Sequence, residues 1–288
     1  MGSVWDGALC TFGERMPERV KPLRWAVEAV AEAAGTFLLT AVGASARNPA
    51  LTNGLALTAL VYGLAPISGA KLNPAASFGA ALADIGASRK KSSAISVALC
   101  RLALEWASQF GGACAGVKLA RKMASATGNI SGCFTPPAGT PMTVVLANES
   151  VGTLLVVFIM LRTAAADEAG GSPRFGSHAP LAIGFAAYAA ADSAGRFSGA
   201  CFNPARYLAS VALGSCPYGS SYARAFLGGH ALGAACAALA HFAFSLCIRK
   251  LQGDECRKRD DEERVPLLSE VGSVGRRARL GAVRRVGL

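Results

Sequence analysis

The sequence predicts an all-α membrane protein with six transmembrane helices and two re-entrant half-helices, arranged as an inverted repeat. The first observation behind this prediction is composition: of 288 residues, 52% are hydrophobic and 16% are charged, and the mean hydropathy is +0.37. This balance, with the apolar residues clustered, favours a membrane protein over soluble domains. The second observation is a nine-residue stretch that occurs once in each half of the chain.

Six windows are long and uncharged enough to cross a bilayer, whose hydrocarbon core takes a helix of about 20 apolar residues. The fifth window is too short by itself, so its helix has to start near Phe175 or continue through Asp192. The windows are residues 25–44, 51–67, 95–117, 142–161, 179–191 and 225–248.

Each copy of the repeated stretch is predicted to start a short helix. The copies read Ser-Gly-Ala-Lys-Leu-Asn-Pro-Ala-Ala at 68–76 and Ser-Gly-Ala-Cys-Phe-Asn-Pro-Ala-Arg at 198–206, with six of nine positions identical. Asn as the capping residue and Pro at the first helical position are a strong start signal, because the ring fixes φ and the Asn side chain binds unpaired backbone groups. The apolar residues that follow, 75–84 and 205–214, give half-helices of ~15 Å.

A second repeated pattern makes the two halves equivalent. Glu32 and Glu149 both open a Glu-x-x-Gly-Thr-x-Leu segment, in the first and fourth spans. Three spans per half is an odd number, so the second half enters the membrane from the opposite side. The half-helices then converge at mid-membrane with their positive N-terminal ends, in a cavity enclosed by protein.

The duplicated Asn-Pro-Ala is similar to the signature of the aquaporin, or major intrinsic protein, family. The resemblance implies an aquaporin-like channel domain at 25–248, with repeat 1 at about 25–117 and repeat 2 at about 142–248. The positive charges of the tails at 1–24 and 249–288 predict that both are cytosolic, and the composition of the second predicts that it is disordered. The resemblance implies a passive channel for water and small uncharged solutes such as glycerol or urea, which excludes protons and ions, and a homotetramer in the lipid bilayer. Glu32 and Glu149 would support the loops before the half-helices. The motif residues are Asn73, Pro74, Ala75, Asn203, Pro204 and Ala205.

The resemblance also implies a selectivity constriction at the outer mouth. Arg206 lies three residues after Asn203, and spacing from the motifs places the other three positions at Asn53, Ala191 and Ala200. Water-selective relatives have an aromatic residue and a His here, and glycerol-type relatives usually have Asp where this chain has Tyr207. We therefore expect a wide, polar opening.

Several polar residues within the spans need partners. Lys71 stands where relatives have His, and it would either put a positive charge in the cytosolic vestibule or neutralise Asp84; the residues do not decide between these. His230 stands where relatives commonly have Pro; the alternatives are a pH sensor and a buried His that bonds to a neighbouring backbone carbonyl, and we expect the second. Within the third span Arg101 and Glu105 are four residues apart and can neutralise each other, whereas Glu28 is expected to be a solvated interface residue.

Charge and cysteine content exclude other classes. Much of the net charge of +11 lies in the tails and in 89–91, which predicts cytosolic termini and no nucleic-acid partner. None of the nine cysteines forms a Cys-x-x-Cys pair, so we interpret them as packing residues and not as a disulfide framework or metal site. There is no catalytic pair or phosphate loop, and the sequence predicts neither an enzyme nor a cofactor.

Two further segments carry sorting or modification signals. Asn129 is a candidate glycosylation site in a loop that the topology places outside. Leu267 and Leu268 fit an acidic-dileucine signal, which a trafficking adaptor would bind. The predicted location is the plasma membrane or an intracellular vacuolar or endosomal membrane. Two alternatives to a channel remain open, an adhesion or scaffold protein on a poorly conducting pore and an ion-coupled carrier of the same architecture.

Overall fold

The fold is seen in a computed structural model that describes residues 21–87, 91–125, 133–164, 178–213, 216, 220–248 and 250–251. Asn129, Leu267, Leu268, Phe175 and most of both tails lie outside these ranges. Residues up to His241 form one compact unit, and a second unit begins at Phe242. The regular structure of the described residues is entirely helical. The helices are α1 (Lys21–Ala44), α2 (Pro49–Ser68), α3 (Pro74–Ala87), α4 (Lys91–Ser125), α5 (Met142–Ala164), α6 (Ala179–Ser198), α7 (Pro204–Leu213) and α8 (Ala223–Ile248).

All six predicted windows lie in helices, but they are not equally apolar. Within the described ranges, α1, α2, α5 and α8 are long and apolar enough to cross a membrane. The helices α4 and α6, which contain the windows 95–117 and 179–191, fall below that level of hydropathy over their lengths. The reason is that α4 carries Arg101, Glu105 and Gln109, and α6 carries Asp192 and Arg196. The fifth window did need extension, and α6 continues through Asp192 to Ser198.

The half-helices α3 and α7 begin at Pro74 and Pro204, as predicted. The Oδ1 atom of Asn73 accepts a hydrogen bond from the backbone N–H of Ala75 at 2.9 Å, and Asn203 Oδ1 accepts from that of Ala205 at 3.0 Å. The helices differ in length, since α3 has 14 residues and α7 has 10. The first half-helix thus extends beyond the predicted boundary at residue 84.

The loops that lead into the half-helices share an unusual backbone conformation. Each has a glycine and two other residues with positive φ, at matching positions of the repeated stretch. Positive φ at residues other than glycine costs about 1–3 kcal/mol each, so the surrounding structure has to hold these loops in place. The residues are Gly69 (86°), Ala70 (46°) and Leu72 (52°) in the first loop, and Gly199 (86°), Ala200 (53°) and Phe202 (52°) in the second.

Matching glycines allow the helices that carry the loop contacts to approach closely. A Cβ atom at Gly112 of α4 would lie 2.9 Å from the carbonyl carbon of Ala33 in α1. A Cβ atom at Gly233 of α8 would lie 2.8 Å from Thr153 Cβ in α5. Side chains at these positions would push the helices apart, so α4 against α1 and α8 against α5 repeat one packing arrangement.

Candidate functional site

The two Asn-Pro-Ala motifs meet through a reciprocal pair of hydrogen bonds. Asn73 Nδ2 donates to the carbonyl oxygen of Phe202 at 2.8 Å, and Asn203 Nδ2 donates to that of Leu72 at 2.9 Å. Each amide therefore binds the residue that precedes the other Asn. An amide nitrogen has two N–H donors, and no second acceptor contacts either Nδ2 among the residues that the structure describes. One donor on each Asn is left for another acceptor.

Glu32 holds the first of these loops. Its Oε1 accepts from Ser68 Oγ at 2.7 Å and from the backbone N–H of Lys71 at 3.0 Å. Its Oε2 accepts from the backbone N–H of Leu72 at 2.7 Å and from Gln109 Nε2 at 2.8 Å. The carboxylate is fully buried, and four donors replace the water that it loses. These are the loop contacts that the resemblance implies.

Glu149 holds the second loop in the same way. It accepts from Ser198 Oγ at 2.6 Å and from the backbone N–H groups of Cys201 at 3.1 Å and Phe202 at 2.8 Å. Its fourth contact is His230 Nε2, which lies 2.7 Å from Oε2. The prediction that His230 bonds to a backbone carbonyl is therefore wrong. The physical reason is that α8 presents His230 at the repeat position where α4 presents Gln109.

Arg206 and Asn53 lie together at one side of the Asn pair. Arg206 is 6% exposed and its backbone N–H donates to Asn203 Oδ1 at 3.3 Å. A Cβ atom at Gly43 would overlap Asn53 Oδ1 and lie 2.8 Å from Arg206 Nη2, so α1, α2 and α7 converge on one point. Asn53 Oδ1 and Arg206 Nε are both buried without a hydrogen-bond partner in the described part of the chain. An acceptor and a donor are thus left unsatisfied side by side.

The two alanines of the predicted constriction pack against the same cluster of residues. Ala191 of α6 and Ala200 of the second loop are partly buried, and both pack against one cluster of small and apolar residues. Neither contributes bulk beyond a methyl group. That cluster consists of Val156, Ala190, Ala194 and Phe202.

Comparison with known proteins identifies the family. Residues 21–241 match the family model described as Major intrinsic protein. The chain belongs to the major intrinsic protein family. It is therefore a multi-pass integral membrane protein of a family of channels and not of enzymes.

Two individual proteins are similar to this major intrinsic protein. Aquaporin-8 of Notomys alexis is 32% identical over 162 residues, which are 55% of this chain and 56% of that protein. The chain thus aligns with about half the length of this curated relative. The X-ray structure of the aquaglyceroporin from Plasmodium falciparum has a TM-score of 0.59 at 18% identity, over 76% of this chain and 95% of that chain. At this identity the likeness shows the fold.

Lys71 pairs with a residue other than Asp84, the partner considered from the sequence. In this major intrinsic protein its Nζ lies 2.8 Å from Glu105 Oε1 and 3.4 Å from the carbonyl oxygen of Ser68. The expected alternative of pairing with Asp84 is therefore wrong. Lys71 is close to the first motif, and its positive charge is neutralised by the carboxylate of α4.

The pair of Lys71 and Glu105 continues into a row of alternating charges. Arg101 Nε lies 3.1 Å from Glu105 Oε1, as expected, and Arg101 Nη2 lies 3.5 Å from Glu28 Oε2. Arg24 Nε contacts Glu28 Oε1 at 2.8 Å. The prediction that Glu28 is solvated is wrong, since it is 6% exposed and lies between two arginines. The second repeat has no such row at the matching positions, where Cys201 replaces Lys71 and Phe226 replaces Glu105.

Two cysteines do form a disulfide, which corrects the interpretation of all of them as packing residues. Cys133 and Cys216 are 83 residues apart in sequence and their Cα atoms are 5.4 Å apart. Cys133 precedes α5 and Cys216 follows α7, so only the fold brings them together. Cysteine spacing gave no signal for this pair, because neither cysteine belongs to a short motif.

Phe134 is the residue of this site that sequence reasoning missed. Its ring centroid lies 5.3 Å from Arg206 Cζ, within the range of a cation–π contact. The only signal in the sequence is its position next to Cys133, and this becomes informative once the disulfide partner is known.

Proposed function

We propose that this protein is a passive channel for water and small uncharged solutes that excludes protons and ions. The observation that carries the proposal is the reciprocal pair formed by Asn73 and Asn203. The pair holds the N-termini of α3 and α7 against each other and leaves one amide N–H on each Asn for a passing oxygen. The names of the similar proteins, an aquaporin and an aquaglyceroporin, support the same function.

The electrostatics of the site favour neutral solutes. Two helix N-termini point at one place, and each carries a partial positive charge that repels cations. A water molecule that accepts from Asn73 or Asn203 has its hydrogens turned away from the motif, which interrupts a chain of water molecules along which protons could hop. Aquaporin-type pores generally combine such donors, pore width and an electrostatic barrier.

The outer constriction is proposed at Asn53, Ala191, Ala200 and Arg206. Asn53 Oδ1 is an acceptor and Arg206 Nε is a donor, and both are buried and unpaired in the residues described. Through their accessible atoms the Asn53 amide and the Arg206 guanidinium can offer hydrogen bonds to a hydroxyl or amide of a solute, which offsets part of the several kcal/mol needed to desolvate an unpaired polar group. The methyl groups of the two alanines leave room for a carbon backbone, so glycerol and urea fit the chemistry of this opening.

The setting of the channel is also part of the proposal. We place both tails in the cytosol and Asn129 outside or in a lumen, and the Cys133–Cys216 disulfide supports this side as the oxidising one. A homotetramer with one pore per subunit is proposed by analogy with the family.

Leu267 and Leu268 would bind a trafficking adaptor and direct the protein from the plasma membrane to a vacuolar or endosomal membrane. Replacing both with Ala tests this, because an unchanged distribution contradicts it.

The test of the channel is flux through purified protein in lipid vesicles. Stopped-flow light scattering should show water, glycerol and urea crossing faster than in empty vesicles, with rates proportional to the gradient. A pH-sensitive dye inside the vesicles should report no proton entry above that of empty ones. Water flux no faster than in empty vesicles would favour the adhesion or scaffold alternative, and saturation or dependence on an ion gradient would favour a carrier.

A further inference from the structure

The four positions of the proposed constriction contain no aromatic residue, yet an aromatic ring lies against its arginine. The Phe134 ring centroid is 5.3 Å from Arg206 Cζ. Phe134 belongs to the segment before α5, outside the repeated motifs and outside the half-helices. The ring therefore reaches the constriction from a loop.

The segment that carries Phe134 is fixed against the second motif loop. The position of a Cβ atom at Gly199 lies 3.3 Å from Phe134 Cα and 3.1 Å from the backbone nitrogen of Thr135. Gly199 also has a φ of 86°, a backbone conformation that favours glycine. A side chain at this position is therefore disfavoured both by the backbone conformation and by contact with the Phe134 segment. Phe134 also packs against the buried cluster that contains Cys201 and Tyr207.

The disulfide holds the same segment from the adjacent residue. Cys133 precedes Phe134 and is bonded to Cys216, which follows the half-helix that carries Arg206. The loop is thus tied covalently to the end of α7 while its ring contacts the first turn of α7. Reducing the bond would remove this tether without changing any of the four constriction residues.

From these contacts we propose that Phe134 is a specificity-determining residue that narrows the outer constriction, and that the Cys133–Cys216 disulfide keeps it in place. The ring lies beside the guanidinium and gives the solute an apolar surface next to Arg206. Phe134 thereby supplies from a loop the bulk that Asn53, Ala191 and Ala200 lack. The inference rests on the proposed function, since it concerns which solutes pass.

The test compares solute permeability with water permeability in the same vesicles. Phe134→Ala should raise the uptake of polyols larger than glycerol, such as erythritol and xylitol, several-fold relative to water, whereas Phe134→Tyr should keep the native ratio. Phe134→Trp should lower glycerol uptake with less effect on water. The matched control is Phe185→Ala, because Phe185 of α6 is 60% exposed on the outer surface of the fold and should leave every ratio unchanged.

The tether is tested by a second arm. Cys133→Ser, Cys216→Ser and a membrane-permeant reductant should each reproduce the Phe134→Ala ratio, and the reductant should add nothing to that variant. If Phe134→Ala and Phe134→Trp keep the native water flux and the native ratio of polyol to water permeability, the inference about Phe134 is overturned and the proposed function stands. Native protein without any flux would overturn the proposed function and the inference with it. If Phe134→Ala changes the ratio and reduction does not, the role of the disulfide is wrong.

Discussion

His230 Nε2 lies 2.7 Å from Glu149 Oε2, and Gln109 Nε2 lies 2.8 Å from Glu32 Oε2. His230 and Gln109 are thus equivalent residues of the two repeats, although their side chains differ. In each repeat a long helix supplies the fourth donor to the buried carboxylate that holds the loop. The fold requires a donor at this position and accepts either an imidazole or an amide.

This equivalence predicts the effect of exchanging the two side chains. His230→Gln should keep the fold and the water flux, because glutamine serves at the matching position. His230→Leu should lower the free energy of unfolding by about 1–3 kcal/mol, since Glu149 stays buried with one donor fewer. Thermal unfolding of the detergent-solubilised variants measures this difference. Equal melting temperatures for the two variants would contradict the role of His230.

The disulfide predicts a pattern of cysteine reactivity. In protein purified from the membrane without reductant, Cys133 and Cys216 should resist alkylation, whereas the exposed Cys100 and Cys247 should react. Mass spectrometry of peptides before and after reduction checks this assignment. Removing the bond should cost about 2–4 kcal/mol of stability, as typical for such a cross-link. Direct alkylation of Cys133 in the oxidised protein would exclude the bond.

The topology predicts which ends a protease can reach. In intact, sealed cells the tail that contains Arg284 and Arg285 should be protected from external trypsin and become sensitive after permeabilisation. The reason is that positive residues accumulate on the cytosolic side of membrane proteins. A tag detected by immunoblotting reports the cleavage. Loss of the tail in sealed cells would place it outside and invert the topology.

The small side chains of the proposed constriction predict a solute-selective variant. Ala191→His should reduce urea and glycerol uptake at least several-fold and leave more of the water flux, because the imidazole fills the space that the methyl group of Ala191 leaves open. Stopped-flow measurements with the three permeants in one vesicle preparation give the ratio. Ala189→His is the matched control, since Ala189 is exposed on the same helix.

Two outcomes would contradict this assignment. An equal loss of water and solute flux in Ala191→His would indicate a collapsed channel and not a narrowed one. A solute-selective loss in Ala189→His, with none in Ala191→His, would show that the constriction uses another face of α6.

The half-helices and the loops before them could be predicted from the sequence, because their signals are local and occur twice. Asn followed by Pro fixes a helix start through the cap and the ring, and both copies begin at Pro74 and Pro204. Glu32 and Glu149 stand in one repeated pattern, so a shared task could be inferred from their matching positions. The resemblance to the family, together with its spacing from Asn203, predicts that Arg206 lies at the outer constriction.

Tertiary structure alone decided which residues from distant parts of the chain pair with one another. Lys71 pairs with Glu105 and not with Asp84, and Glu28 is buried between arginines, because α1 and α4 pack closely enough to exclude water from that face. Cys133 meets Cys216, and Phe134 meets Arg206, because the loop before α5 folds over the end of α7. Such contacts join segments that share no repeat, spacing or period, so the sequence contains no local signal for them. Their geometry exists only once α1 has packed against α4 and the loop before α5 has folded over α7.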